Sequence, residues 1–253
     1  MNQSVIKALQ LLNLFTEDTP ELSLKQIAEE AKMPKPTAYR LLSALEQCHF
    51  LIKTKETEHD SRYRLGLKLL ELGNLVSEQL ELRHIALPYM QRLAEDINEV
   101  VHLVITNQNE ATYIEKVDSP RALRLYTRIG KSSPLYLGSG PKLLLAYLPE
   151  ERQEQVLEET TFYKLTDNSP SDKRELKKEL EVIREQGYAY SVGEQDLDTT
   201  GISYPIYDFS RTVVAALAVS GLSSHFEKGN LQTIKEKAEA TANGISRKLG
   251  YKS

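Results

Sequence analysis

Apolar residues recur at helical spacing in short runs at the start of the chain. In the segment Val5 to Phe15 the apolar positions 5, 8, 9, 12 and 15 share a face, and Ser4 is a candidate N-cap. The spacing predicts a helix that the cluster Thr16 to Pro20 stops. Ser23-Leu24-Lys25-Gln26 is a capping-box pattern, with Leu22 and Ile27 placed to close a hydrophobic staple, and it predicts a short helix from Leu24 to about Ala31. Met33-Pro34-Lys35-Pro36 breaks that helix, because prolines push the residues before them out of helical geometry. Pro36 suits the first position of a third helix, along which Ala38, Leu41, Leu42 and Leu45 share one face. Arg40, Ser43 and Gln47 lie opposite, flanked by Thr37 and Tyr39. Two short helices joined by a tight turn are the helix-turn-helix pattern, whose second helix enters the major groove of DNA. Phe50 to Thr54 and Arg62 to Leu65 then alternate as strands do, joined by the polar stretch Lys55 to Ser61, which predicts a hairpin wing.

Beyond the wing, Gly66 to Leu82 carries an apolar stripe, Leu69, Leu72, Val76 and Leu80, on a predicted helix with no evident core of its own. It either packs within one domain or pairs with its counterpart in a dimer. A helix over Ile85 to Asp96, with Pro88 in its first turn, precedes strands Val100 to Thr106 and Ala111 to Val117 around the turn Asn107 to Glu110. Leu123 to Arg128 alternates as a further strand. Pro141 to Leu148 reads as a short apolar helix, and Asp172-Lys173-Arg174-Glu175 caps a charged amphipathic helix ending at Gly187. Strands follow at Tyr188 to Glu194, Ile202 to Tyr207 and Val213 to Ser220, the last so apolar that it should be central, and Leu231 to Leu249 is the closing helix. This order of strands and helices implies an α+β sensor-like sheet rather than a doubly wound nucleotide fold.

The net charge of -4 argues at first against a nucleic-acid partner. The first 65 residues, however, hold nine Lys/Arg and nine Asp/Glu, leaving 23 against 27 in the remainder. Within them Ala31 to Leu45 carries Lys32, Lys35 and Arg40 and no acid. A DNA-binding face needs a local positive surface rather than a basic protein, so charge leaves both a DNA face and an ordinary solvated surface open. No apolar run is long enough to span a bilayer, since the longest, Val213 to Leu222, is about half the required length. The start of the chain lacks a secretory pattern, and the single cysteine, Cys48, fits a reducing cytoplasm.

Catalysis finds little support. His49, His59, His84, His102 and His225 lack metal-ligand spacing, and Val219-Ser220-Gly221 lacks the leading glycine of a nucleophile elbow. Walker and dinucleotide glycine patterns are absent. Glu194, Asp196 and Asp198 alternate, a pattern that fits an exposed loop better than a cation site. No catalytic residue, metal or cofactor is expected. The feature best suited to a small molecule is Gly138-Ser139-Gly140-Pro141-Lys142, where glycines lead into a helix start. Free N–H groups there, with Ser139 and Lys142 beside them, make a natural carboxylate or phosphate site, although a tight turn needing positive φ explains the glycines better when they are taken alone.

The whole chain resembles the IclR family of bacterial transcription regulators. The resemblance rests on Ser4-Val5-Ile6-Lys7-Ala8-Leu9, Pro34 to Leu42, Tyr63-Arg64-Leu65-Gly66, His102-Leu103 and Ile129-Gly130-Lys131 followed by Pro134-Leu135. It continues through Lys142 to Ala146, Ile183-Arg184-Glu185-Gln186-Gly187-Tyr188 and Ala215 to Gly221. It implies an α+β chain with a winged helix-turn-helix over residues 1–65, a linker and dimerisation helix over 66–82, and a GAF/PAS-like effector-binding domain with a mixed sheet over 83–253. It implies a cytoplasmic homodimer or tetramer on palindromic, double-stranded operator DNA near catabolic genes, with a small anionic effector and no membrane partner. The family's effector pocket falls by position on Ser133, Ser139, Gly140, Ser191, Gly201, Ala218 and Ser220. Gly201 and Ala218 replace polar pocket residues and Pro141 stands where a glycine is common, leaving room for an effector larger than pyruvate, with Tyr126 and Tyr204 expected nearby. DNA contacts are expected from Lys35, Thr37, Tyr39, Arg40 and Ser43 of the third helix and from Lys53, Lys55, Arg62 and Arg64 of the wing. The alternative is a ligand-binding module or enzyme whose first domain serves assembly.

Overall fold

The computed structural model describes residues 2–57, 60–78, 81–121 and 127–252, with the backbone alone at 55–57, 60, 76–78 and 228. The chain forms two compact units, Met1–Gln79 and Leu80–Ser253.

The first unit runs α1 (Gln3–Leu12), β1 (Glu21–Ser23), α2 (Leu24–Glu30), α3 (Lys35–Gln47), β2 (Leu51–Thr57), β3 (Asp60–Leu65) and α4 (Leu67–Glu78). Its core is Leu11, Leu22, Ile27, Leu41, Leu42, Leu45, Leu51 and Tyr63, so the apolar face of α3 packs inward as its spacing requires. The capping box at α2 is complete. Ser23 Oγ accepts the Gln26 N–H at 3.3 Å, and Gln26 Oε1 accepts the Ser23 N–H at 2.9 Å. The first helix starts before Ser4, because the Asn2 side chain takes the Ser4 N–H at 3.1 Å. It ends at Leu12, where the Asn13 N–H turns back to Gln10. At α3 the cap is Pro34, and Pro36 stands one position further in than expected, still among the N–H groups that lack an intrahelical acceptor.

Strand β1 pairs with β3, making the wing a three-stranded sheet in the order β1-β3-β2. Three residues are too few to show an alternation, which hid this strand. The hairpin register sets Lys53 opposite Tyr63 and Thr54 opposite Arg62. Gly66 closes it, donating its N–H to the Phe50 carbonyl at 2.8 Å. A Cβ at Gly66 would stand 2.1 Å from the His49 carbonyl oxygen, so only glycine fits.

The second unit is a six-stranded sheet in the order β6-β5-β4-β9-β8-β7, from β4 (Val100–Asn107), β5 (Glu110–Val117), β6 (Ser132–Pro134), β7 (Ala189–Val192), β8 (Thr199–Tyr207) and β9 (Val213–Leu222). Every described pairing is antiparallel, which corrects the expected mixed sheet. The pairs β4·β5, β7·β8 and β8·β9 are consecutive in sequence and joined by short turns, which force opposite directions. Strand β9 is central, as its apolar run predicts.

Helices α5 (Glu81–Ile97) and α9 (Lys228–Lys248) cover one sheet face, burying Met90, Leu93, Ile234 and Ala238 against Leu103, Leu217 and Val219. Helix α6 (Ser139–Ala146) lies on the other, α8 (Lys173–Gln186) packs on α6, and α7 (Glu150–Glu159) adds to the same core, in which Leu143, Val156 and Leu180 cluster with Val104, Ala216 and Ala218. Neighbouring residues of β4 and β9 thus serve opposite cores, as the pleat demands.

Pro88 lies inside α5 rather than in its first turn, because that helix begins at Glu81. Ala86 and Met90, on either side of it, are buried in the core. Helix α6 starts two residues before Pro141. Helix α7 and strand β6 are additional to the expected elements. Residues 123–126 of the expected strand Leu123 to Arg128 lie outside the described residues.

Candidate functional site

The first unit presents a polar face on α3. Lys35, Tyr39 and Arg40 are exposed there, while Thr37 and Ser43 are half-buried. The wing reaches this face through Lys53, whose Nζ lies 5.7 Å from the Tyr39 ring centre and 6.0 Å from that of Tyr63. A cation held between two rings fixes the strand to the helix it flanks. Ser23, Lys25, Lys35, Tyr39, Lys53 and Ser61 line one hollow, so Lys25 and Ser61, which periodicity did not single out, join the expected Lys35, Tyr39 and Lys53. Arg62 and Arg64 lie by register on the other face of the wing from Lys53 and Tyr63. The structure therefore does not gather the basic residues of the wing on one face. The Lys55 side chain lies outside the described residues.

The second unit encloses a cavity of about 110 Å³ between the start of α6, strands β4, β8 and β9, and residues 193–198. Ser139, Gly140, Ser191, Gly201, Ala218 and Ser220 all line it. Ser133 is buried on β6 beside Ala111 and is not among the lining residues. Tyr204 belongs to the opposite sheet face, 5.7 Å from Tyr188, so it lies away from the cavity, contrary to expectation. Tyr126 lies outside the described residues.

Small residues let the strands approach the helix start. A Cβ at Gly201 would stand 2.8 Å from Ser139 Oγ, which accepts a hydrogen bond from Ser203 Oγ at 2.8 Å. Gly138, at φ 89°, turns the chain into α6.

Lys142 does not add charge to the cavity. Its fully buried Nζ pairs with Glu179 and with Glu194 Oε1 at 2.5 Å. Glu194 Oε2 also accepts the Gly138 N–H at 2.9 Å. Burial pushes the Glu194 carboxyl above the usual carboxylate range, against the pull of Lys142. The loop is tied down further, with Ser169 Oγ donating to the Glu194 carbonyl at 2.7 Å and Gln195 Nε2 to the Leu137 carbonyl at 3.0 Å. The alternation Glu194, Asp196, Asp198 therefore places one carboxylate in an ion pair and two at the surface, and no metal-holding cluster occurs among the described residues.

Sequence reasoning assigned no site role to His102 and Tyr113, which also line the cavity. The His102 ring is buried on β4, its Nδ1 lies 3.3 Å from Ser220 Oγ, and the ring meets Tyr113 edge-on at 5.3 Å. Burial pushes its pKa down to about 3, so the imidazole is neutral near pH 7. The available signal was parity. His102 and Val104 alternate with Leu103, and His102 pairs with Ala218 across the sheet.

Comparison with known proteins gives the setting for both surfaces. Residues 4–54 match the IclR helix-turn-helix domain, and residues 75–247 match the C-terminal domain of bacterial transcriptional regulator IclR. The HTH-type transcriptional regulator KipR of Bacillus subtilis is 35% identical over 250 residues, covering 99% of this chain and 98% of that protein. The crystal structure of Thermotoga maritima IclR superposes with a TM-score of 0.77 at 29% identity, covering 99% of this chain and 100% of that one. An IclR homologue from Microbacterium hydrocarbonoxydans, crystallised with 4-hydroxybenzoate, gives 0.83 at 25% identity, covering 98% of this chain and 99% of that one. The matched proteins are regulators of transcription rather than enzymes, and the chain belongs to the IclR family of bacterial transcription regulators.

Proposed function

We propose that this DNA-binding regulator is ligand-responsive, that it acts in the cytoplasm on a catabolic operon, and that its second unit senses a small organic acid. The observation that carries the reading is the cavity at the start of α6, which collects Ser139, Gly140, Ser191, Gly201, Ala218 and Ser220 from four separate elements. The effector's carboxylate lies against the first-turn N–H groups of Ser139 and Gly140, which have no intrahelical acceptor, and Lys131 stands at the rim. Gly201 and Ala218 leave room for a sugar acid or aromatic acid, and the 4-hydroxybenzoate complex of the Microbacterium homologue supports that class. Among the described residues no helix is long and apolar enough to cross a membrane, and the lone Cys48 fits a reducing compartment.

The operator is double-stranded DNA read by Lys35, Thr37, Tyr39, Arg40 and Ser43 of α3, with Lys53, Lys55, Arg62 and Arg64 on backbone phosphates. The regulator works as a homodimer or tetramer through α4, where Leu67, Leu70, Leu72 and Leu75 are exposed and Leu69 is half-buried. Val76 and Leu80, the other members of the stripe, have side chains outside the described residues.

Calorimetry against sugar acids and aromatic acids, with their amides and alcohols as neutral counterparts, tests the acid reading. A neutral analogue that binds as tightly as its acid overturns it, and a hit confined to the smallest keto acids overturns the size assignment. Duplex titration at two salt concentrations tests the DNA contacts, since several phosphate contacts give a steep salt dependence.

A further inference from the structure

His102 lines the cavity beside α6, and its role rests on the reading that this cavity is the effector site. The cation nearest the helix start, Lys142, is already committed to Glu179 and Glu194, and Glu194 occupies the Gly138 N–H. The chain's own groups therefore satisfy Lys142 and the Gly138 N–H, leaving the Ser139 and Gly140 N–H groups for the carboxylate. His102 differs. Its ring is 2% exposed, its Nδ1 side meets Ser220 Oγ, and its Nε2 has no hydrogen-bond partner among the described residues.

A buried polar atom without a partner costs stability and requires an explanation. His102 shares its sheet face with Val104 and Ala218, the face covered by α6, and it lines the cavity with Ser220. The charged groups about the ring are Lys116, paired across β4·β5, and Asp118, which holds the Lys116 Nζ at 2.7 Å. Tyr113 closes the ring's other side edge-on. Neither the lysine–aspartate pair nor the ring edge satisfies the imidazole nitrogen.

We propose that His102 is a ligand-binding residue, whose Nε2 hydrogen-bonds a hydroxyl or oxo oxygen of the effector and so selects hydroxy and oxo acids over their deoxygenated analogues. Ser220 orients the ring through Nδ1, and the effector's oxygen supplies the partner that the described protein groups do not give Nε2. A site built to bond such an oxygen rejects the analogue lacking it, because Nε2 is then left buried and unpaired. Since the ring is neutral, this contact reads the oxygen and leaves the carboxylate to the backbone N–H groups of α6.

Calorimetry on the full chain with two paired probes tests this, D-gluconate against hexanoate and 4-hydroxybenzoate against benzoate. The hydroxylated member of at least one pair is expected to bind the wild type about tenfold more tightly than its partner, the effect of one net hydrogen bond. His102→Asn keeps a polar group beside Ser220 but cannot reach the Nε2 position, and it should abolish the preference, the two members of each pair then binding alike. His102→Gln, whose amide reaches the Nε2 position, should restore it, which a merely structural histidine would not require. A preference that survives in His102→Asn overturns the proposal, and so does equal binding of both members of each pair to the wild type. If the acids fail but neutral D-glucose or phenol binds and loses affinity in His102→Asn, the acid reading falls and the role of His102 stands. Failure of every probe to bind overturns both.

Discussion

Replacing His102 should make the second unit less sensitive to acid, and the size of the effect follows from burial. In the unfolded chain the imidazole titrates near its ordinary value of 6.5, whereas in the folded protein burial holds it down to about 3. Between those values the unfolded state binds one more proton than the folded state, so stability is full above 6.5 and is lost as pH falls from 6.5 toward 3. At pH 7 the loss is about 0.2 kcal/mol and at pH 5 about 2 kcal/mol, so the group costs roughly 2 kcal/mol over that interval. Urea unfolding followed by circular dichroism, on the wild type and on His102→Asn at both pH values, measures this directly. Other titrating groups cancel in the difference between the two proteins. The variant should therefore lose roughly 2 kcal/mol less than the wild type on going from pH 7 to pH 5. Parallel pH dependences would mean that the folded state leaves the His102 pKa near its ordinary value of 6.5, and the burial that holds the ring neutral down to low pH would be refuted.

Arg40→Ala should weaken operator binding by roughly 1–3 kcal/mol with folding intact, and unchanged affinity in a folded protein would remove Arg40 from the recognition surface. Changing Leu70 and Leu72, exposed on α4, to Asp should give monomers in sedimentation and abolish operator binding, whereas persistent dimers would place the interface elsewhere. Lys142→Met leaves Glu194 buried without its cation and should cost roughly 3–5 kcal/mol in urea unfolding, with Lys142→Met/Glu194→Gln recovering much of it. If the double variant is no more stable than the single one, Glu194 draws its support from the Gly138 N–H instead.

The chain's own pattern determined the elements whose signals are local. The capping box at Ser23, the apolar face of α3, the Asp172 cap and left-handed Gly187 around α8, and the central apolar strand β9 are each decided by a few neighbouring residues. Resemblance to the family then named the candidate pocket residues, and most of them line one cavity. What remained hidden depends on partners distant in sequence. Strand β1 exists only because β3 lies beside it, and the antiparallel order follows from which strands become neighbours. Lys142 reads as a free cation at a helix start until Glu179 and Glu194 arrive 37 and 52 residues later in the chain. Tyr204 looks available to the cavity until its register sends it to the opposite face, while that same pleat brings His102 in. Periodicity records which face a residue shares with its neighbours, but only the packed sheet decides what covers that face, and therefore which polar atoms are left for a ligand.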